Sequence, residues 1–207
     1  MQRKLPRARS RKRKKSNLPV PPFPLPDVIT LRAIGEELDV FYHPGESART
    51  SAREQEGSLI ISGNIGQQEC VHALRRWTSR KARAHLPPWL GQISRELCLP
   101  FGRAALRKQR TRWASCSARH TVSINEKLLF VPALLVEYVF VHELCHTVEL
   151  NHSPRFWRLV SRFEPDCKSI ERQLRSAWRY VPWWMCEPGS GELNQSHWRE
   201  RAAAAGG

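Results

Sequence analysis

Nowhere does the chain hold an uninterrupted apolar run of the roughly 20 residues that a membrane-crossing helix needs. Its most apolar stretch, 128–141, is broken by Pro132 and Glu137, so no transmembrane segment is expected. No Cys-x-x-Cys pair occurs among the six cysteines, Cys70, Cys98, Cys116, Cys145, Cys167 and Cys186. That absence excludes a four-cysteine zinc ribbon and reads as reduced thiols of a cytoplasmic protein. A secretory leader is not expected either, because the opening bases run into Pro19-Val20-Pro21-Pro22-Phe23-Pro24-Leu25-Pro26 rather than an apolar segment with a cleavage site. No internal repeat is found.

Acidic residues are also scarce, 19 against 34 Lys and Arg in 207 residues. The imbalance is concentrated: Arg3, Lys4, Arg7, Arg9, Arg11, Lys12, Arg13, Lys14 and Lys15 lie in the first 16 residues, which hold no acid. Like charges in a row repel and cannot pack, so residues 1–27 are expected to form a basic and Pro-rich arm. Its bases at 3–15 are suited to non-specific contact with nucleic acid. Pro-Gly-Ser-Gly and Ala-Ala-Ala-Ala-Gly-Gly mark 187–207 as a flexible tail. Between them, 28–186 has enough apolar and aromatic content, eight Trp included, for one packed domain.

Within that span, 38–45 and 58–62 read as strands, and a turn over 63–66 leads into a helix over 67–84. Pro87-Pro88 is expected to break this helix and begin a second, with Leu90, Ile93 and Leu97 on one face. Short strands are expected at 111–117 and at 121–125, the latter alternating polar and apolar as a strand near a sheet edge would. The next helix, 132–150, carries a stripe of Leu134, Tyr138, Val141, Cys145 and Val148 predicted to face the core. Ser153-Pro154 has the chemistry of an N-cap followed by Pro at the first helical position, opening a helix through Phe163. Asp166 is expected to cap a last helix reaching about Tyr180.

On the 132–150 helix stands His142-Glu143-Leu144-Cys145-His146. Residues four apart share a helical face about 5–6 Å apart at Cβ, so His142 and His146 can converge on one ion. Glu143 points about 100° away, too far for a third ligand but within reach of a water on the ion. His152 is the candidate third ligand. On an unbroken helix it would lie about 15 Å along the axis from His142, so the helix must end in between. Asn151 is expected to supply a left-handed residue at that end, with Ser153-Pro154 starting anew directly after it. Zinc, one per chain, would then act as Lewis acid and Glu143 as general base toward the attacking water, with Glu143 returning the proton to the leaving amine.

These residues carry a resemblance. The strings Thr111-Arg112-Trp113-Ala114-Ser115-Cys116-Ser117, Val122-Ser123-Ile124-Asn125, Tyr138-Val139-Phe140-Val141-His142-Glu143-Leu144-Cys145-His146 and Asn151-His152-Ser153-Pro154-Arg155-Phe156-Trp157 resemble the YgjP-like metallopeptidases, relatives of the SprT-like and WLM zinc proteases. The likeness is dense over 110–160 and diffuse from 35 to 185. It implies an α+β fold: a single zincin-like metallopeptidase domain with a small mixed or antiparallel sheet packed on helices. It also implies zinc at His142, His146 and His152, Glu143 as the acid/base, and protein or peptide substrates. Ala114 stands where that family usually has Gly. By analogy with zincins, the 121–125 strand is expected to receive an extended substrate along a sheet edge.

The other candidates receive structural readings. Cys145 is expected in the core, and Phe156 and Trp157 are expected to lock the His152 turn. His43, His72, His85, His120 and His197 lack ligand partners at helical spacing. Glu164, Asp166 and Glu171 stand in reserve as ligands or as carboxylates that hold a ligand histidine. The alternative function is a nucleic-acid-associated protein with a zinc site, in which Arg75, Arg76, Arg80, Lys81 and Arg83 track phosphates along with the arm. Because SprT-like relatives cleave proteins crosslinked to DNA, the two readings can coexist in a protease acting on DNA-bound proteins.

Overall fold

In the computed structural model, residues 24–186 are described; the expected arm up to residue 23 and the tail 187–207 lie outside them. Four strands come first: β1 (Val28–Leu31), β2 (Glu36–Pro44), β3 (Ser51–Gln55) and β4 (Ser58–Gly63). They form a sheet of order β1-β2-β4-β3 in which β2 and β4 run parallel and the other pairs antiparallel. The β3–β4 reversal needs positive φ at two successive residues, supplied by Glu56 (48°) and Gly57 (78°). Leu25 packs on the core and the Pro26 carbonyl accepts from Tyr42 Oη, so the last residues of the Pro-rich stretch join this sheet.

Helix α1 (Gln67–Glu96) covers it. The break expected at Pro87-Pro88 does not occur: both prolines lie inside one continuous helix. Their missing N–H groups leave the carbonyls of Arg83 and Ala84 without helical donors, but both residues are exposed, so water can serve them. Meanwhile Leu74, Trp77, Ala82, Leu86, Leu90 and Ile93 form an unbroken buried face across the prolines. At about 1.5–3 kcal/mol for each large apolar side chain, that face outweighs two lost hydrogen bonds.

A second sheet, of order β5-β7-β6, contains β5 (Arg103–Arg107), β6 (Ala114–Cys116) and β7 (Thr121–Asn125). Strand β7 is central, parallel to β5 and antiparallel to β6, which corrects its expected place near an edge. Its alternation of polar and apolar residues arises because Val122 and Ile124 enter the core while Thr121 and Ser123 stay half-buried. The strand expected over 111–117 shortens to β6, an edge strand. The Ala114 backbone is strand, paired with Ile124, and needs no glycine-like φ.

Helices α2 (Ala133–Cys145), α3 (Pro154–Phe163) and α4 (Cys167–Arg175) complete the fold. Helix α2 is buried on most sides, and the expected stripe holds only in its middle: Tyr138, Val141 and Cys145 are buried, whereas Leu134 and Val148 are more than half exposed. The helix stops at Cys145 rather than 150, leaving Val148 in the turn beyond it. Ser153 caps α3 by accepting from Phe156 N–H, with Pro154 in the first turn. Asp166 stands at the N-cap of α4 without a side-chain bond, and a 3-10 turn, Ala177–Tyr180, replaces the helix expected there. The architecture is α+β, as expected.

Candidate metal centre

Helix α2 delivers His142 and His146 on one face, and the chain then reverses to return His152. Asn151 does not make that reversal in a left-handed conformation, since the positive-φ non-glycine residues described are Glu56, Cys98 and His120. The turn is built instead from N–H groups of Thr147 to Leu144 O and of Val148 and Glu149 to Cys145 O, followed by Ser153 N–H to Asn151 O at 2.7 Å. These bonds satisfy carbonyls at the helix end, so no glycine-like residue is required.

The turn brings one ring nitrogen from each of His142, His146 and His152 within 4.8 Å of one another, with Nε2 of His142 and Nε2 of His152 3.0 Å apart. Nitrogens bound tetrahedrally to one ion at about 2.0–2.1 Å lie about 3.4 Å from each other. The donor set therefore fits a divalent cation with three imidazoles and an open fourth position. His146 Nδ1 lies 3.0 Å from the Glu149 carbonyl. A carbonyl only accepts, so Nδ1 carries the proton and Nε2 keeps its lone pair for the ion. Burial, then the neighbouring His146 and His152, pushes His142 down to about 3. Burial likewise lowers His146, against the Glu149 carbonyl, which raises it. Both rings are thus neutral, the form that binds metal.

Phe156, fully buried, stacks on His146 at 4.3 Å between ring centres and 21° from parallel, and meets His142 and His152 edge-on. Trp157 lies 5.7 Å from the His152 ring. Both serve the packing role expected of them, as does fully buried Cys145, whose thiol burial pushes up to about 12. Glu164, Asp166 and Glu171 are not in the cluster, nor are His43, His72, His85 and His120; His197 lies outside the described residues.

The Glu143 carboxyl meets the backbone of β6 and shares a cavity with His142. Burial pushes its carboxyl up to about 7, while a hydrogen bond donated by the Cys116 backbone N–H and the charge of Arg112 work to lower it. A cation at the histidines adds a further lowering influence. Cys116 itself stays a thiol, pushed up to about 11 by burial and then by Glu143. A cavity of about 220 Å³ opens here, with His142, Glu143, Arg112, Tyr138 and Glu171 among its walls. Sequence reasoning missed the Cys116 N–H and the Glu149 carbonyl, because backbone groups leave no mark on residue type. Arg112 could have been found, since it stands within a string singled out for its resemblance.

Four of the five bases expected to track phosphates bond within the protein, while Arg83 is exposed. Arg75 donates to the carbonyls of Trp184 and Cys186, Arg76 to Thr50 O and Arg80 to Ala52 O. Lys81 pairs at 2.7 Å with both Glu36 and Glu54. These side chains tie α1 to the first sheet and to the C-terminal segment.

A family model, the metallopeptidase domain of YgjP-like proteins, matches residues 2–177. No curated protein matches the chain significantly. Two solved structures are similar in part. The metallopeptidase zymogen abylysin of Pyrococcus abyssi is 24% identical over 42% of this chain and 89% of that one, with a TM-score of 0.38. The zymogen jannalysin of Methanocaldococcus jannaschii is 20% identical over 42% and 90%, with a TM-score of 0.37.

Proposed function

The chain belongs to the YgjP-like metallopeptidase family, and from that premise we propose that His142, His146 and His152 hold one zinc ion per chain and that Glu143 is the general base of its peptidase reaction. The chain is a metal-dependent hydrolase of peptide bonds. The observation that carries the assignment of residues is the convergence of three imidazole nitrogens within 4.8 Å beside a buried carboxylate. Structural zinc sites usually close with four protein ligands, and three leave a position for substrate.

An ion held by His142, His146 and His152 would supply Lewis acidity toward a water and toward a carbonyl oxygen. Glu143, whose carboxyl burial raises, takes a proton from the attacking water, holds it, and delivers it to the leaving nitrogen. The Cys116 N–H holds the carboxylate against β6. An extended substrate is placed along β6 rather than β7, since β7 is flanked on both sides. Asn125 N–H bonds Trp113 O and Ser117 N–H bonds Thr121 O, so the N–H and carbonyl of Ala114 and the carbonyl of Cys116 face outward, while the Cys116 N–H serves Glu143.

Among the described residues no helix is long and apolar enough to cross a membrane. The cytoplasm is the proposed compartment, on six cysteines without a close pair in sequence. The nucleic-acid contact proposed for residues 3–15 lies outside the described residues.

Metal content by mass spectrometry and casein hydrolysis, measured on wild type, Glu143→Gln and His152→Ala, test this reading. The expected result is near one zinc per chain in wild type and Glu143→Gln, depletion in His152→Ala, and cleavage lost in both variants. A well-folded wild type without zinc sinks it.

A further inference from the structure

The proposed reaction leaves one developing charge without a protein partner. When water adds to a peptide carbonyl, the C=O π pair moves onto oxygen, and donors placed there in advance commonly contribute the largest single part of the rate. Arg112 is the one cation among the walls of the cavity that also takes in His142 and Glu143. Unlike Arg75, Arg76, Arg80 and Lys81, its guanidinium has no hydrogen-bond or ion-pair partner among the described residues, and the residue is exposed. Glu171 lines the same cavity without forming an ion pair with it.

The Arg112 backbone is held in place although its guanidinium makes no hydrogen bond or ion pair among the described residues and meets Glu143 through its charge alone. Fully buried Asn125 donates from Nδ2 to the Arg112 carbonyl at 2.7 Å and to the Gln109 carbonyl at 3.0 Å, while its Oδ1 accepts from Lys127 N–H. Two residues further on β6 begins, and its Cys116 N–H anchors Glu143. One clamped segment, 112–116, thus presents a cation whose charge reaches Glu143 and, four residues on, the backbone N–H that holds the same carboxyl.

Resting on the peptidase reading above, we infer that Arg112 is a further catalytic residue, whose guanidinium N–H groups donate to the scissile carbonyl oxygen as it becomes an oxyanion. The water oxygen bonds to the carbonyl carbon as its proton passes to Glu143, and the π pair lodges on the oxygen facing Arg112. When that pair returns, the C–N bond breaks and the nitrogen leaves with the proton from Glu143. The planar fork of Arg suits an oxygen whose charge grows during the step, and Lys reproduces only its charge.

The test uses the full-length, metal-loaded protein as wild type, Arg112→Lys, Arg112→Met and Glu143→Gln. For each, metal content, kcat and KM on one casein-derived peptide are measured. Calorimetric affinities for that peptide and for its phosphinate analogue, which mimics the tetrahedral oxyanion, are measured in the same preparations. Arg112→Met is expected to keep its metal, lose about 100–1000-fold in kcat with KM within about threefold, and lose phosphinate affinity by a comparable factor while peptide affinity stands. Arg112→Lys falls in between. Unchanged kcat and phosphinate affinity, or equal weakening of peptide and phosphinate, overturns the inference. If wild type proves too selective to cleave the peptide, the comparison of phosphinate with peptide decides alone. Full activity in Glu143→Gln would instead strike the peptidase reading and leave the Arg112 affinities to be judged separately.

Discussion

The ring of His146 is held between two residues that follow it in sequence: its Nδ1 donates to the Glu149 carbonyl at 3.0 Å, and its face stacks on Phe156 at 4.3 Å. The first contact sets which nitrogen would meet the proposed ion and the second sets the ring plane, so the ring just past the end of α2 is constrained from two sides.

Because the carbonyl and not the carboxylate of Glu149 makes that bond, Glu149→Ala should keep its metal, with affinity within about twofold of wild type against a competing chelator. A large loss of metal in this variant would show that the carboxylate is needed.

Phe156→Leu should remain folded, at a cost of about 1–2 kcal/mol in denaturant unfolding, but should weaken metal binding on the order of 10-fold, since all three imidazoles lose their shared wall. Unaltered metal affinity would reduce Phe156 to a core residue.

Asn125→Ala removes two donors from the carbonyls of Gln109 and Arg112 and the acceptor for Lys127 N–H. The expected loss is about 2–3 kcal/mol of stability, measured by urea unfolding, a size that a mere surface residue would not reach.

Lys81 sits between Glu36 and Glu54. Burial works to raise Glu54, but hydrogen bonds from Lys81 and Trp77 outweigh it and hold the carboxyl below 4.5. Burial works to lower Lys81, and the two glutamates outweigh it and hold the ammonium above 10.5. A depressed acid adds stability that is present above its unfolded value and lost as pH falls; a raised base adds stability lost as pH rises. With both glutamates partly exposed, Lys81→Met should cost only about 1 kcal/mol. The difference from wild type should be level between pH 5 and 10 and shrink below about 4.5; a difference that grows on acidification would contradict the pairing.

The local chemistry of the site was readable in the chain. His142 and His146 at helical spacing, Glu143 beside them, and Ser153-Pro154 as a cap all depend on contacts within a few residues, where residue type and spacing decide geometry. The prolines of α1 misled because their local penalty was judged without the buried face that runs past them. Asn151 misled because hydrogen bonds from Thr147, Val148 and Glu149 close the helix end instead. The alternation in 121–125 spoke truly of two unlike faces but was silent on neighbours, since strand order depends on contacts distant in sequence. What the sequence determined by itself was the candidate set of three histidines and the need for a turn before His152. Only the tertiary structure decided that Cys116 and Arg112, 27 and 31 residues upstream of Glu143, act on its carboxyl and that Asn125 clamps the Arg112 backbone, because backbone donors and cross-sheet clamps are set by packing rather than by periodicity.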